Sequence, residues 1–194
     1  MNTNRNIKQK KCKYCETLFY PFKTTQVVCN HHCAQLYAEE KRKKEEQKEW
    51  NKEKKERKEN LMTLSEWTKI AQGHFNHFIR LRDKGKPCIS CDKVFSKDEI
   101  VHASHYKPAG TCQNVRFNED NVWVSCVKCN THLSGNPSEY RERLVKKIGI
   151  ERVEYIESIA NETRKFTIPE VKEIIEIYKE KVKTLKNLKK ITYN

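Results

Sequence analysis

The sequence predicts an α+β chain assembled from small metal-stabilised modules, and three observations lead there. Hydrophobic residues make up 36% of the 194 positions and charged residues 34%, which is too lean for one large core. Eight of the nine cysteines fall in four close pairs, Cys12/Cys15, Cys29/Cys33, Cys88/Cys91 and Cys126/Cys129. Around those pairs lie short segments with strand-like alternation and longer ones with helical periodicity. Four thiolates suit Zn²⁺, which takes soft ligands in a closed tetrahedral site, so two structural zinc sites are expected. The first eleven residues are polar and basic, not an apolar leader, and paired knuckles in a reducing compartment bind metal and do not form disulfides. A cytoplasmic chain is therefore expected. No apolar run approaches membrane-spanning length, which argues against a membrane partner.

Residues 1–38 form the first module. Cys12-Lys-Tyr-Cys15, an aromatic stretch through Phe19, Tyr20 and Phe22, and Cys29-Asn-His-His-Cys33 at the start of a helix describe a treble-clef-like finger. A unit this small needs its metal to fold. His31 and His32 compete for the fourth position, but the softer ligand and the helical start favour Cys33. Residues 39–62 are almost wholly charged, with Glu39/Lys43, Glu40/Lys44 and Glu53/Arg57 at i,i+4 spacing and no apolar heptad. That pattern reads as a solvated helical spacer or a partly disordered linker. Residues 63–140 open on Thr63-Leu-Ser-Glu66, a capping box, followed by an apolar face through Trp67, Ala71, Phe75, Phe78 and Ile79. Residues 141–194 are helical, with Gly149 as a stop, Thr167-Ile-Pro-Glu170 as a start, and a stripe from Val171 to Leu188.

Chemistry concentrates between the last two cysteine pairs. Residues 99–106 have the alternation of a strand, with His102 and Ser104 on one face and His105 on the other. A loop with Asn114, Arg116 and Asn118 follows, then a second strand from Asn121, then Cys126-Val-Lys-Cys129 opening a helix at Asn130. Two strands and a helix around a four-cysteine zinc site resemble the ββα-metal frame of the HNH, or His-Me finger, nucleases. That resemblance implies His105 as general base, Asn121 as the loop-steadying side chain and Asn130 as ligand to a catalytic Mg²⁺ or Mn²⁺. Many such sites carry an Asp where this chain has Ser104, a poor hard-metal ligand. His102 is the candidate replacement, with Asn118 or His132 as possible accessory contacts.

The order of Cys12-x2-Cys15, Phe78-Ile-Arg80-x-Arg82, Pro87-Cys-Ile-Ser-Cys91, Ser104-His-Tyr106, Arg116-Phe-Asn-Glu119 and Cys126-Val-x-Cys-Asn130-x-His132-x-Ser-Gly-Asn136 resembles the NinG/Rap recombination proteins of lambdoid phages. The Cys-x-x-Cys-Asn ending also resembles phage endonuclease VII. The resemblance implies a structure-specific endonuclease acting on Holliday junctions and D-loops in the host cytoplasm, in company with phage or host recombination proteins. The net charge of +14 suits such a polyanionic substrate. Arg80, Arg82, Lys84, Lys107, Arg116, Lys128 and Arg141 are the candidate DNA contacts. Symmetric cutting of a four-way junction calls for a homodimer, with the terminal stripe and the charged helix as candidate interfaces. Two rival readings are a noncatalytic zinc adaptor that binds DNA and recruits recombination factors, and an RNA-processing zinc protein. Cys112, left over after two sites, reads as a small loop residue.

Overall fold

The computed structural model describes residues 8–191 and is mixed α+β, with two small antiparallel sheets and five α-helices among the described residues. Its contacts divide the chain into two compact units, Met1–Met62 and Thr63–Asn194.

In the first unit, β1 (Lys10–Lys11) pairs with β2 (Leu18–Phe19), Lys10 opposite Phe19 and Lys11 opposite Leu18. The turn between them is the first cysteine knuckle. Glu16, at φ 62°, donates its N–H to Cys12 O at 3.0 Å, and Cys12 N–H reaches Thr17 O at 2.9 Å. Helix α1 (His31–Asn60) starts where the Asn30 side chain accepts the Cys33 N–H at 2.8 Å. It runs unbroken through residues 38 and 39, so finger and spacer share one helix. No Gly or Pro interrupts it, and ion pairs such as Glu39–Lys43 at 2.8 Å and Glu53–Arg57 at 3.7 Å line its surface. Cys33 is its buried residue, so packing along one side is not what sustains it.

The second unit begins with α2 (Leu64–Arg82), opened by the Thr63/Glu66 capping box. Strands β3 (Val101–His105) and β4 (Val122–Cys126) pair antiparallel, with His102 opposite Ser125 and His105 opposite Val122. Three helices follow, α3 (Pro137–Ile148), α4 (Ile150–Ala160) and α5 (Ile168–Ile191). The two-stranded sheet lies between two apolar layers. On one face Phe75, Phe78 and Ile79 of α2 meet Val122 and Tyr178, with Ala103, Ile174, Val182 and Leu185 packed around them. On the other, Trp123 meets Ile89, Tyr140, Leu144 and Val153. Much of the apolar stripe of α5 therefore lies against α2 within one chain. Cys112 lies in the loop between β3 and β4, outside both cysteine groups, and is buried there with Val115, Ile156 and Ala160. No helix among the described residues is long and apolar enough to cross a membrane.

The segment after β4 departs from expectation. A single π-helical turn, Lys128–His132, replaces the start of a regular helix, and α3 begins only at Pro137. Ser134, Gly135 and Asn136 take φ of 50°, 92° and 52°, a left-handed run that no α-helix can cross. Gly135 anchors that turn, its N–H donating to Cys129 O at 2.8 Å and its carbonyl accepting from Ser90 Oγ at 3.0 Å.

Candidate active site and metal centres

Two groups of four sulfurs are the candidate metal centres. Cys12, Cys15, Cys29 and Cys33 place their Sγ atoms within 4.8 Å of one another, and so do Cys88, Cys91, Cys126 and Cys129. The edge of a tetrahedron with Zn–S bonds of about 2.3 Å is ~3.8 Å. The observed Sγ separations of 3.6 Å for Cys15/Cys29, 3.5 Å for Cys29/Cys33 and 3.8 Å for Cys91/Cys126 match that edge. Each group of cysteines can therefore hold zinc. The two are built alike. Asp92, at φ 55°, donates to Cys88 O at 3.0 Å just as Glu16 does to Cys12 O, and Cys88 N–H meets Lys93 O as Cys12 N–H meets Thr17 O. Backbone N–H groups of Cys29 and Cys126 point at the first sulfur of their site, at 3.4 and 3.3 Å. Such N–H···S contacts favour thiolate and so favour metal.

Beside the second centre lies a cleft of about 600 Å³ lined by Ser104, His105, Lys107, Asn130, Tyr140 and Arg141 among others. His105 closes one side of it. Its Nε2 lies 3.0 Å from Arg116 O. A carbonyl can only accept, so Nε2 carries the hydrogen and Nδ1 keeps its lone pair. Burial, with the Arg116 guanidinium adding to it, lowers the imidazole's pKa below the ordinary 6.5, so the neutral base persists to lower pH. The Phe75 ring of α2 sits 6.3 Å from the imidazole, centroid to centroid.

Asn121 is fully buried and holds the intervening loop at two points. Its Oδ1 accepts from Lys107 N–H at 2.8 Å, while Nδ2 donates to Lys107 O and Val115 O, each at 3.0 Å. Asn130 also touches His102, its Nδ2 3.0 Å from His102 Nδ1. The contact makes Nδ1 of His102 an acceptor and leaves the Asn130 carbonyl oxygen free to face a ligand. Ser104 is nearly buried, its backbone carbonyl accepting from the Tyr140 hydroxyl at 2.9 Å. Asn118 and His132 do not join this group. Asn118 caps a short turn by accepting Asp120 N–H at 2.9 Å, and His132 is exposed at the end of the π-turn.

A family described as Bacteriophage Lambda NinG protein matches residues 4–189. The chain belongs to the NinG family. Protein ninG of Escherichia phage lambda is 39% identical over 195 residues, covering 92% of this chain and 94% of that protein. Protein ninG of Escherichia phage 933W is 38% identical over 193 residues, with the same two coverages. Protein ninG of Salmonella phage P22 is 37% identical over 195 residues, covering 92% and 95%. No solved structure matches.

In this NinG-family chain the basic candidates divide by what they already touch. Arg82 is not a free cation: it donates to both Asp83 carboxylate oxygens at 2.9 and 2.8 Å and to the carbonyls of Glu119 and Val122, with Trp123 stacked 4.2 Å away. Arg116 is likewise internal, bound to Gln72, Ala109 O and Gln113. Both side chains tie elements together, because desolvating a guanidinium requires several acceptors at once. Arg141 makes a two-pronged pair with Glu157 at 2.9 and 3.1 Å on the cleft rim, where Tyr106 also donates to Glu157. That pairing holds the Glu157 carboxyl down at about 2. Lys107 lines the cleft, and Arg80, Lys84 and Lys128 are exposed. The Glu157 link and the Arg116 carbonyl behind His105 are the contacts the sequence could not reveal. A backbone acceptor carries no residue-type signal, and Glu157 lies 51 residues from Tyr106.

Proposed function

We propose that this NinG-family chain is a metal-dependent endonuclease of the HNH type that cuts branched DNA intermediates of recombination. The observation that carries the reading is His105, a neutral imidazole with Nε2–H on a backbone carbonyl and Nδ1 unengaged, in the same cleft as Asn130. On this reading β3, β4 and the turn bearing Asn130 form the ββα-metal frame, and the zinc at Cys88, Cys91, Cys126 and Cys129 is its structural support. His105 Nδ1 takes the proton of an attacking water, and Asn121 keeps the loop that supplies the Arg116 carbonyl in place. Asn130 Oδ1 offers a neutral donor for one divalent ion, and His102 would join it through Nδ1 on releasing the Asn130 amide, with substrate phosphate oxygens filling the remaining positions. Such a donor set with an imidazole fits Mn²⁺ at least as well as Mg²⁺. When bound, the ion supplies charge stabilisation at the phosphate. Arg80, Lys84, Lys107 and Lys128 hold diverging DNA arms through phosphate contacts, and a homodimer provides two cuts.

The test is cleavage of four-way, three-way and linear duplex DNA with and without Mg²⁺ or Mn²⁺, by wild type beside His105→Ala. Metal-dependent nicking of branched forms that the variant loses is the expected result; equal nicking by both removes His105 as base. One observation favours a second reading, a noncatalytic adaptor that recruits recombination factors: the residues lining the cleft include no carboxylate. Tight junction binding by wild type without cleavage in either metal would establish the adaptor instead.

A further inference from the structure

The first unit carries side chains that hydrolysis leaves unused. Tyr14, Leu18, Tyr20 and Phe22 are 40%, 62%, 70% and 96% exposed. A module with so few large apolar residues turns four of them to water within nine positions, a concentration that marks a contact surface. Phe22 is held outward by structure. Its N–H donates to Gln26 Oε1 at 2.7 Å, Gln26 Nε2 donates to Val28 O at 2.9 Å, and the preceding Pro21 is buried. The surface is also cationic. Residues 8–29 contain five lysines and a single acid, Glu16, which pairs with Lys11 at 2.6 Å. Lys8, Lys13 and Lys23 are exposed and have no carboxylate partner among the described residues.

Rings alone would suit a protein partner, and lysines alone a duplex backbone. Aromatic faces set among uncompensated lysines match single-stranded nucleic acid, whose unpaired bases stack while its phosphates meet the cations. We infer that the N-terminal unit binds unpaired nucleotides, with bases stacked on Tyr20 and Phe22 and phosphates held by the neighbouring lysines. The inference shares with the proposed function only a nucleic acid ligand, and it requires no cleavage.

The experiment uses the full zinc-loaded chain without Mg²⁺ or Mn²⁺, measuring fluorescence anisotropy with a labelled deoxythymidine oligomer and a blunt duplex of equal length. The double variant Tyr20→Ala/Phe22→Ala is expected to lose at least about 30-fold in single-strand affinity, as base stacking of ~1–3 kcal/mol for each of two bases implies. Its duplex affinity and salt slope should stay unchanged, since neither substitution removes a cation. Tyr20→Trp/Phe22→Trp should retain binding, and zinc content should match wild type in both. Unchanged single-strand affinity, or equal loss on both DNAs, overturns the inference. A changed oligomeric state with unchanged single-strand binding overturns it too, assigning the patch to a second copy of the chain. Cutting that fails while single-strand binding survives would sink the proposed nuclease alone.

Discussion

At the level of single residues, His105 and Asn121 do different work with equally few atoms. His105→Ala is expected to lower any branched-DNA nicking by at least ~100-fold, the scale of general-base catalysis, with the thermal midpoint little changed. Because its pKa is lowered, the imidazole stays unprotonated as pH falls past 6.5. The acid limb of the cleavage rate should therefore have its midpoint below 6.5, and a midpoint at or above that value would remove the carbonyl-bound, buried imidazole as the titrating base. Asn121→Ala deletes three hydrogen bonds and strands Lys107 and Val115 backbone groups. A loss of about 2–4 kcal/mol in denaturant unfolding is expected, larger than for a surface change. The resemblance singled out Asn121 and His105, and the structure gives each a defined backbone partner, Lys107 and Val115 for the one and Arg116 for the other. The sequence did not show that Arg82 and Arg116 bind protein acceptors, because charge alone does not say whether a guanidinium will find four of them or none.

Elements tell a similar story with different physics. Caps and stops were legible because they are local: Thr63 with Glu66, Thr167 with Glu170 and Gly149 act within one turn. The π-turn after Cys129 was not, since only Gly135 hints at three successive left-handed residues. The packing of α5 on α2 was hidden for another reason: an apolar stripe specifies burial but not its partner. The tie between α3 and α4 gives a prediction at this scale. Glu157, depressed to about 2 by the Arg141 pair and then by the Tyr106 hydroxyl, contributes stability that is fully present above the ordinary carboxylate range near 4.5. That contribution is lost as pH falls from there towards 2. With the carboxylate partly open to solvent, its worth is about 1–2 kcal/mol after screening. Glu157→Gln should unfold more easily than wild type at pH 7, and the gap should narrow through pH 4 to 2 in acid-denaturation curves.

For the whole molecule, the two units and their two sulfur sites set the expectations. Metal analysis of the purified chain should find two zinc ions per polypeptide, and Cys12→Ser/Cys15→Ser should reduce the count to one while leaving the melting of the second unit nearly intact. A count of one in wild type would remove one of the centres. The four paired-cysteine motifs were the most legible part of the sequence, since zinc dictates ligand type and spacing more strictly than a core dictates its residues.

Asn130 follows Cys129 directly in the chain, and that adjacency changes how inhibition by chelators must be interpreted. A mild chelator that strips only a hard divalent ion would stop the proposed reaction within mixing time, and adding Mn²⁺ would restart it. A strong thiolate-competing chelator would instead withdraw the anchor one peptide bond away, so that loss would be slow and a return of Mn²⁺ alone would restore nothing. Two chelators of different softness, compared by time course and by rescue, would thus separate the ion that reacts from the ion that holds the chain in shape.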